Sequence, residues 1–273
     1  MYQSRTKTLS FHKKGDLYYL TFPSFDKTQK VRHCFSTRLG GISKGMFDSL
    51  NLGFSRGDED SNVIKNYEIL CNAIGIDTKR LVFSDQIHET KIRVVSQEDL
   101  EHLPLEIEGI DGLVTDAKQV SLVTLYADCV PLFFLDPVAK VIGLSHAGWR
   151  GTVGKIGLET IRAFKENFNS NPKDILVGIG PSIGKCCFEV DEPVAYEFDL
   201  AFKNAEGIIY SKPNNKYIID LWEANKKALV EGGILESNIT VTDLCTQCNK
   251  DVFFSHRGHK GKRGSLAAII ELI

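Results

Sequence analysis

The chain has 273 residues, 42% of them hydrophobic, 10% aromatic and 25% charged, the make-up of an ordinary folded protein that buries roughly 73% of the surface its unfolded chain exposes. Thirty-three basic side chains against 35 acidic ones leave a formal charge of −2, which excludes the electrostatic footprint of a sequence-independent nucleic-acid binder. An anionic substrate therefore needs a local pocket.

Residues 1–16 are polar with no apolar stretch behind them, so no secretory leader is expected. The most apolar run, residues 121–135, is interrupted by Asp128 and Pro131 and falls short of the ~20 apolar residues that span a bilayer, so no membrane segment is expected. Seven cysteines, Cys34, Cys71, Cys129, Cys186, Cys187, Cys245 and Cys248, are an odd number in a large chain. They argue for reduced thiols and a cytoplasmic setting.

In chain order, strand-like runs at 17–22 and 31–36 lead into the turn-rich stretch 37–60, which contains Gly40, Gly41, Gly45, Gly53 and Gly57 and reads as a long, ligand-capable loop. From Ser61, the spacing of Val63, Tyr67, Leu70 and Ile74 predicts a helix that Gly75 stops. Strand-like 81–83 and 91–95 flank the polar segment Gln86-Ile87-His88. Short apolar runs at 112–115, 121–126, 130–135 and 141–145 predict buried strands. After the Gly-rich turn 146–152, a helix is expected over 155–168, with Leu158, Ile161, Phe164 and Phe168 on one face. A strand at 175–179, helices at 193–202 and 221–230, and strands at 251–255 and 265–272 complete the reading. No repeat or linker divides residues 1–273, so one domain is expected, of α+β class with a mixed sheet, because strands and helices do not alternate strictly.

Asp128 and Cys129 interrupt two apolar strand runs where packing alone would favour aliphatic side chains. His146 ends the next strand, so an antiparallel hairpin would bring it to Cys129, and a Cys–His pair serves either zinc binding or nucleophilic catalysis. Spacing does not place His88. If it joins them, His88, Cys129 and His146 make a three-ligand site with an open position, as in catalytic zinc. Cys245-Thr-Gln-Cys248 is half of a zinc ribbon, but downstream only His256 and His259 follow, poorly spaced. It reads as a reduced thiol pair, and the adjacent Cys186-Cys187 reads as packing. Arg38, Arg150 and the cluster of Arg257, Lys260, Lys262 and Arg263 around Gly258 and Gly261 sit in or near Gly-containing turns and are candidate anion binders. Arg150 leads them because it stands before a helix start.

These stretches together resemble the laccase-domain, YfiH-like family. The resemblance is carried by Ser36-Thr-Arg-Leu-Gly-Gly-Ile-Ser43, Ser49-Leu-Asn-Leu-Gly53, Gln86-Ile-His88, Asp111-Gly112, Ala127-Asp-Cys129, His146-Ala-Gly-Trp-Arg-Gly151, Gly180 to Val190, Cys245-Thr246 and Phe254-Ser-His-Arg257. It implies an α+β fold with mixed sheets packed between helices in α/β/β/α-like layers. It further implies one zinc on His88, Cys129 and His146, and an enzyme that is both a purine nucleoside phosphorylase and an adenosine deaminase. The substrates would be adenosine, inosine, guanosine or methylthioadenosine, with phosphate. Cys129, Asp128 and His146 become the candidate catalytic residues, and Arg38, Gln86, Arg150 and Arg257 the candidate substrate binders. The chain departs from the family where Tyr67 follows Asn66 in place of a common arginine, and where Lys260-Gly-Lys-Arg263 replaces a Thr-Gly-Arg ending.

Three other readings compete: a cysteine hydrolase or deamidase using Cys129 and His146, a copper-dependent phenol oxidase with copper replacing zinc, and a non-enzymatic metal-bound partner protein. Seven scattered histidines with no His-x-His pair cannot build a four-copper centre. A single copper on an N/S site is chemically reasonable.

Overall fold

The strand Leu266–Leu272 is buried along its whole length, because it lies in the middle of a sheet with both faces covered. It pairs antiparallel with Val31–Ser36 on one side and Ser121–Tyr126 on the other. The computed structural model describes residues 3–96, 98–202 and 206–273. Around that strand a seven-stranded mixed sheet runs in the order 10–14, 17–21, 31–36, 266–272, 121–126, 81–84, 105–107. A six-stranded mixed sheet runs in the order 239–241, 176–179, 130–136, 141–147, 112–115, 92–94. A small antiparallel sheet of 189–191, 216–219 and 209–212 stands beside them.

Period-two alternation explains how the sheets stack. Along Val130–Asp136, Phe133 and Leu135 enter one core with Phe35, Leu122, Leu266 and Ile270 of the larger sheet. Leu132 and Phe134 point the other way, into a core shared with Ile161, Phe164, Phe198 and Leu229 of the helices Ile156–Phe168, Glu192–Ala201 and Leu221–Glu231. The outer face of the larger sheet, through Cys34, Val123, Ala267 and Ile269, packs on Val63, Tyr67, Leu70 and Cys71 of the helix Asp60–Ile74. Helix, sheet, sheet, helices is the α/β/β/α order that the family resemblance implies.

The predicted helices fall within a residue or so of the observed ones, the usual fraying of helix ends. A short helix, Trp149–Val153, precedes Ile156–Phe168. The expected strand over 251–255 is not one. Val252, Phe253 and Phe254 are buried, but the Val252 and Phe253 N–H groups both donate to the Asn249 carbonyl in a turn. An apolar run reports burial, and here burial occurs without a ladder. The edge strand Ser10–Lys14 escapes the sequence reading because Phe11 is its only apolar side chain and none of its residues is fully buried. Its two-residue turn to Leu17–Thr21 relies on Gly15 at φ 58°.

Candidate active site and metal centre

The antiparallel hairpin exists: Val130–Asp136 pairs with Val141–Ala147, with Pro131 opposite His146 and Val130 opposite Ala147. Cys129 therefore stands one residue before the strand end that meets His146. His88 arrives from the loop between Leu81–Ser84 and Ile92–Val94, at φ 64°. Ligand atoms of His88, Cys129 and His146 lie within 4.8 Å of one another, and the two imidazole rings stand perpendicular with centroids 4.8 Å apart.

Asp111 holds this arrangement. Its carboxylate is fully buried. Oδ1 lies 2.9 Å from His146 Nδ1 and accepts the His88 N–H at 3.0 Å, while Oδ2 accepts the N–H groups of Ile87 and Glu89 at 3.2 and 2.8 Å. A carboxylate on Nδ1 fixes that nitrogen as the donor and leaves Nε2 free to ligate, the usual partner of a metal-binding histidine. Burial works against charge on Asp111, but the His146 and backbone donors outweigh it and hold the carboxyl below its ordinary range.

Burial likewise pushes the Cys129 thiol up, yet His146 and His88 beside it bring it down to about 6. Burial lowers His146, and Cys129 with Asp111 raises it to about 9. Each group thus favours the charged form of the other, a thiolate beside an imidazolium. Two imidazoles and a thiolate backed by a buried carboxylate form a donor set that fits a zinc- or copper-type cation, with no fourth protein ligand in the cluster among the described residues.

The three residues line a cavity of about 470 Å³, within the size range of small-molecule sites. Arg56, His256, Arg257 and Arg263 contribute positive or protonatable groups to its walls, and Asp85, Glu106 and Asp128 contribute carboxylates. Arg263 is buried, its Nε has no hydrogen-bond partner, and its Nη1 donates to Gly264 O and Ser265 Oγ, both at 3.1 Å. Burial and the nearby Arg56 lower it to about 10.

The other expected site residues divide. Asp128, at φ 88°, accepts from Thr246 Oγ1 at 2.6 Å and from the Arg257 N–H at 2.7 Å. Both its oxygens are committed to holding the turn that presents Cys129. Gln86 lines the cavity, but its amide pairs in both directions with the Leu125 backbone, at 2.6 and 2.8 Å, pinning the His88 loop to the strand Ser121–Tyr126. Arg257 reaches the cavity. Arg38 and Arg150 do not line it. Arg38 donates to Asp48 O and Lys250 O and lies over the Phe254 ring. Arg150 is exposed and stacked 4.3 Å from the Trp149 ring centroid. A guanidinium in a Gly-rich turn looked like an anion binder, but carbonyls and an aromatic face claim these two.

Tyr67 is a core residue, its hydroxyl donating to Leu52 O at 2.8 Å, and it lies outside the cavity lining. Sequence reasoning gave no role to Asp111, which entered only with Gly112 among the stretches that carry the resemblance, nor to Arg56, whose position beside Gly57 in the long loop was the available signal.

The family described as "Multi-copper polyphenol oxidoreductase laccase" matches residues 32–273. A relative named purine nucleoside phosphorylase YlmD, from Bacillus subtilis, is 37% identical over 240 residues, covering 86% of each chain. The crystal structure of YlmD from Geobacillus stearothermophilus, 34% identical, superposes with a TM-score of 0.89 over 96% of this chain and 98% of that one. That of Bacillus licheniformis hypothetical protein YfiH, 33% identical, gives 0.89 over 96% and 99%. Matched along most of its length in both sequence and fold, the chain belongs to this laccase-like YfiH/YlmD family.

Proposed function

We propose that the chain is a zinc-dependent purine nucleoside phosphorylase that converts adenosine, inosine and guanosine to free base and ribose 1-phosphate, with methylthioadenosine as a further substrate, and that it also deaminates adenosine. The phosphorylase name of its relatives supports this. The observation that carries it is the His88, Cys129 and His146 set opening on a cavity whose walls hold three arginines. Three protein ligands with an open position are the pattern of catalytic rather than structural zinc. Zinc bound there would supply Lewis-acid polarisation of a phosphate or water oxygen.

The chain's own residues supply the remainder. Arg263, Arg257 and Arg56 provide the charge that a phosphate dianion requires, Arg263 from a buried position where an ion pair is least screened. In phosphorolysis a phosphate oxygen bonds to the anomeric carbon as the bond to the purine nitrogen breaks, and the departing base takes up a proton. Asp85 and Glu106, on the cavity wall, are the groups we assign to deliver it. Asp128 acts by positioning Cys129. In deamination water adds at adenine C6 and ammonia leaves from the same carbon. Seven cysteines without a disulfide support a reducing, cytoplasmic setting.

A second reading, a cysteine hydrolase or deamidase, is favoured by the contact of Cys129 with His146, since a thiolate beside an imidazole is an activated nucleophile. Metal content separates the two. Zinc-loaded and chelator-stripped protein are incubated with inosine or adenosine, with and without phosphate, beside Cys129→Ala, and base and ribose 1-phosphate are followed by chromatography. Base release that needs phosphate, zinc and Cys129 is expected. Turnover by stripped protein with Cys129 intact moves the assignment to the cysteine enzyme. No turnover with any purine nucleoside overturns the phosphorylase reading.

A further inference from the structure

Downstream of Cys245-x-x-Cys248 the sequence offers only the poorly spaced His256 and His259 as partners. The partner lies upstream. Cys186, Cys187, Cys245 and Cys248 bring four sulfur atoms within 4.8 Å of one another, with Cys248 Sγ 3.5 Å from Cys186 Sγ and 3.4 Å from Cys187 Sγ. None is disulfide-bonded, and these separations are far beyond an S–S bond of ~2.05 Å. They approach the edge, about 3.8 Å, of a tetrahedron built on Zn–S bonds of ~2.3 Å. We propose that Cys186, Cys187, Cys245 and Cys248 form a second, structural metal site that takes a zinc-type divalent cation as a closed tetrathiolate.

The local backbone is built for it. Cys245 to Cys248 is a tight turn, with the Asn249 N–H donating to Cys245 O at 3.1 Å. Gly184 to Cys187 is another, with the N–H groups of Cys187 and Phe188 donating to Gly184 O at 2.9 and 3.0 Å. The two turns are tied together: Ser182 bridges to Cys245, the Thr246 N–H donates to Ser182 O at 2.9 Å, and the Gly184 N–H points at Cys245 Sγ at 3.3 Å. An N–H aimed at sulfur favours the thiolate that a metal needs. Four thiols this close cannot all ionise without a cation among them, and a divalent metal supplies that compensation.

The site also has a place in the architecture. Thr246, between two of the cysteines, donates to Asp128, and the Ile183 N–H donates to Asp128 O at 2.9 Å. Ile183 and Phe188, which flank Cys186 and Cys187 in the chain, line the cavity. A metal here would staple two loops into one wall of the cleft, in segments that carry little regular structure of their own. It would be distinct from the His88, Cys129 and His146 centre and would not depend on the reaction assigned there.

The test separates the two centres. The full chain carrying His88→Ala, Cys129→Ala and His146→Ala is purified under reducing conditions, dialysed, and its zinc counted by plasma mass spectrometry. One zinc per chain is expected, falling to near zero when Cys186→Ser and Cys187→Ser are added. Cobalt(II) replacing that zinc should give strong sulfur-to-metal charge-transfer absorption. X-ray absorption on the zinc-loaded unmutated protein needs no variant to fold, and should find roughly 2.5 sulfur ligands per zinc with both centres filled, against about one if zinc occupies the His88 centre alone. A zinc-free cleft variant with four titratable thiols overturns the proposal. So does an intact mass two hydrogens low that maps to a disulfide from Cys248, or a sulfur count near one.

Discussion

Asp111 Oδ1 sits 2.9 Å from His146 Nδ1 and accepts the backbone N–H of His88 at 3.0 Å, so one buried oxygen sets the positions of two of the three candidate ligands. Asp111→Asn keeps the volume but offers a poorer acceptor and loses the charge that orients the imidazole. Metal affinity at the His88, Cys129 and His146 centre should fall about 10- to 100-fold, read by competition with a chromophoric chelator. Unchanged affinity would show that Asp111 serves the loop backbone alone.

Gly148 follows Ala147 at the end of the hairpin. A Cβ there would lie 3.1 Å from His88 Cδ2 and 3.3 Å from Cys129 Sγ, while its backbone, φ −62° and ψ 174°, suits any residue. Gly148→Ala should therefore leave folding nearly intact and displace two ligands by a few tenths of an ångström, beyond the ~0.2 Å tolerance of metal–ligand distances. The expected result is a loss of roughly tenfold in metal affinity, with the thermal midpoint of the metal-free protein shifted by only a few degrees. Equal losses in both measurements would refute the local account.

Arg263 is the buried cation of the cavity, with an unpartnered Nε. Under the phosphorolysis reading, Arg263→Lys keeps a charge but loses the planar fork that matches a phosphate. Phosphate KM should rise roughly tenfold, and Arg263→Met should raise it further, with nucleoside KM much less affected. Parallel changes in both KM values, or in thermal stability alone, would make Arg263 a structural residue.

His33 is buried among Phe22, Phe25 and Phe133, and its Nε2 accepts the Phe22 N–H at 2.8 Å. Burial is the main reason that its imidazole is held at about 3, against an ordinary value of 6.5. Asp26, 3.9 Å from Nδ1, lies beyond hydrogen-bond reach and does not compensate. Because the folded value is the lower one, the unfolded chain binds the extra proton. The contribution is full above pH 6.5, is lost progressively as pH falls, and is gone below about 3. In this window His33 should make unfolding free energy fall by up to ~1.4 kcal/mol per pH unit. Denaturant titrations at pH 7.5, 6 and 5 should show that His33→Asn, less stable at neutral pH, has a shallower slope than the unmutated chain. An identical slope would refute it.

Much of the architecture was determined by the sequence alone, because hydrophobic period and chain punctuation are local. The spacing of Val63, Tyr67, Leu70 and Ile74 before Gly75 suffices for a helix. The runs at 121–126, 130–135 and 141–145 suffice for buried strands, and the order of these runs places Cys129 and His146 at one end of a hairpin. The family resemblance added His88, which no local pattern locates. What tertiary structure decided was the use made of polar groups whose partners are far away in the chain. Nothing near Asp111 announces that its carboxylate will meet His146, 35 residues on. Nothing near Arg38 shows that the carbonyls of Asp48 and Lys250 will claim its guanidinium. The four cysteines are the sharpest case. Each pair alone is an unremarkable turn, and the pairs become a candidate site only because the Ser182 to Cys245 bridge folds two loops together, a long-range contact that no short spacing encodes.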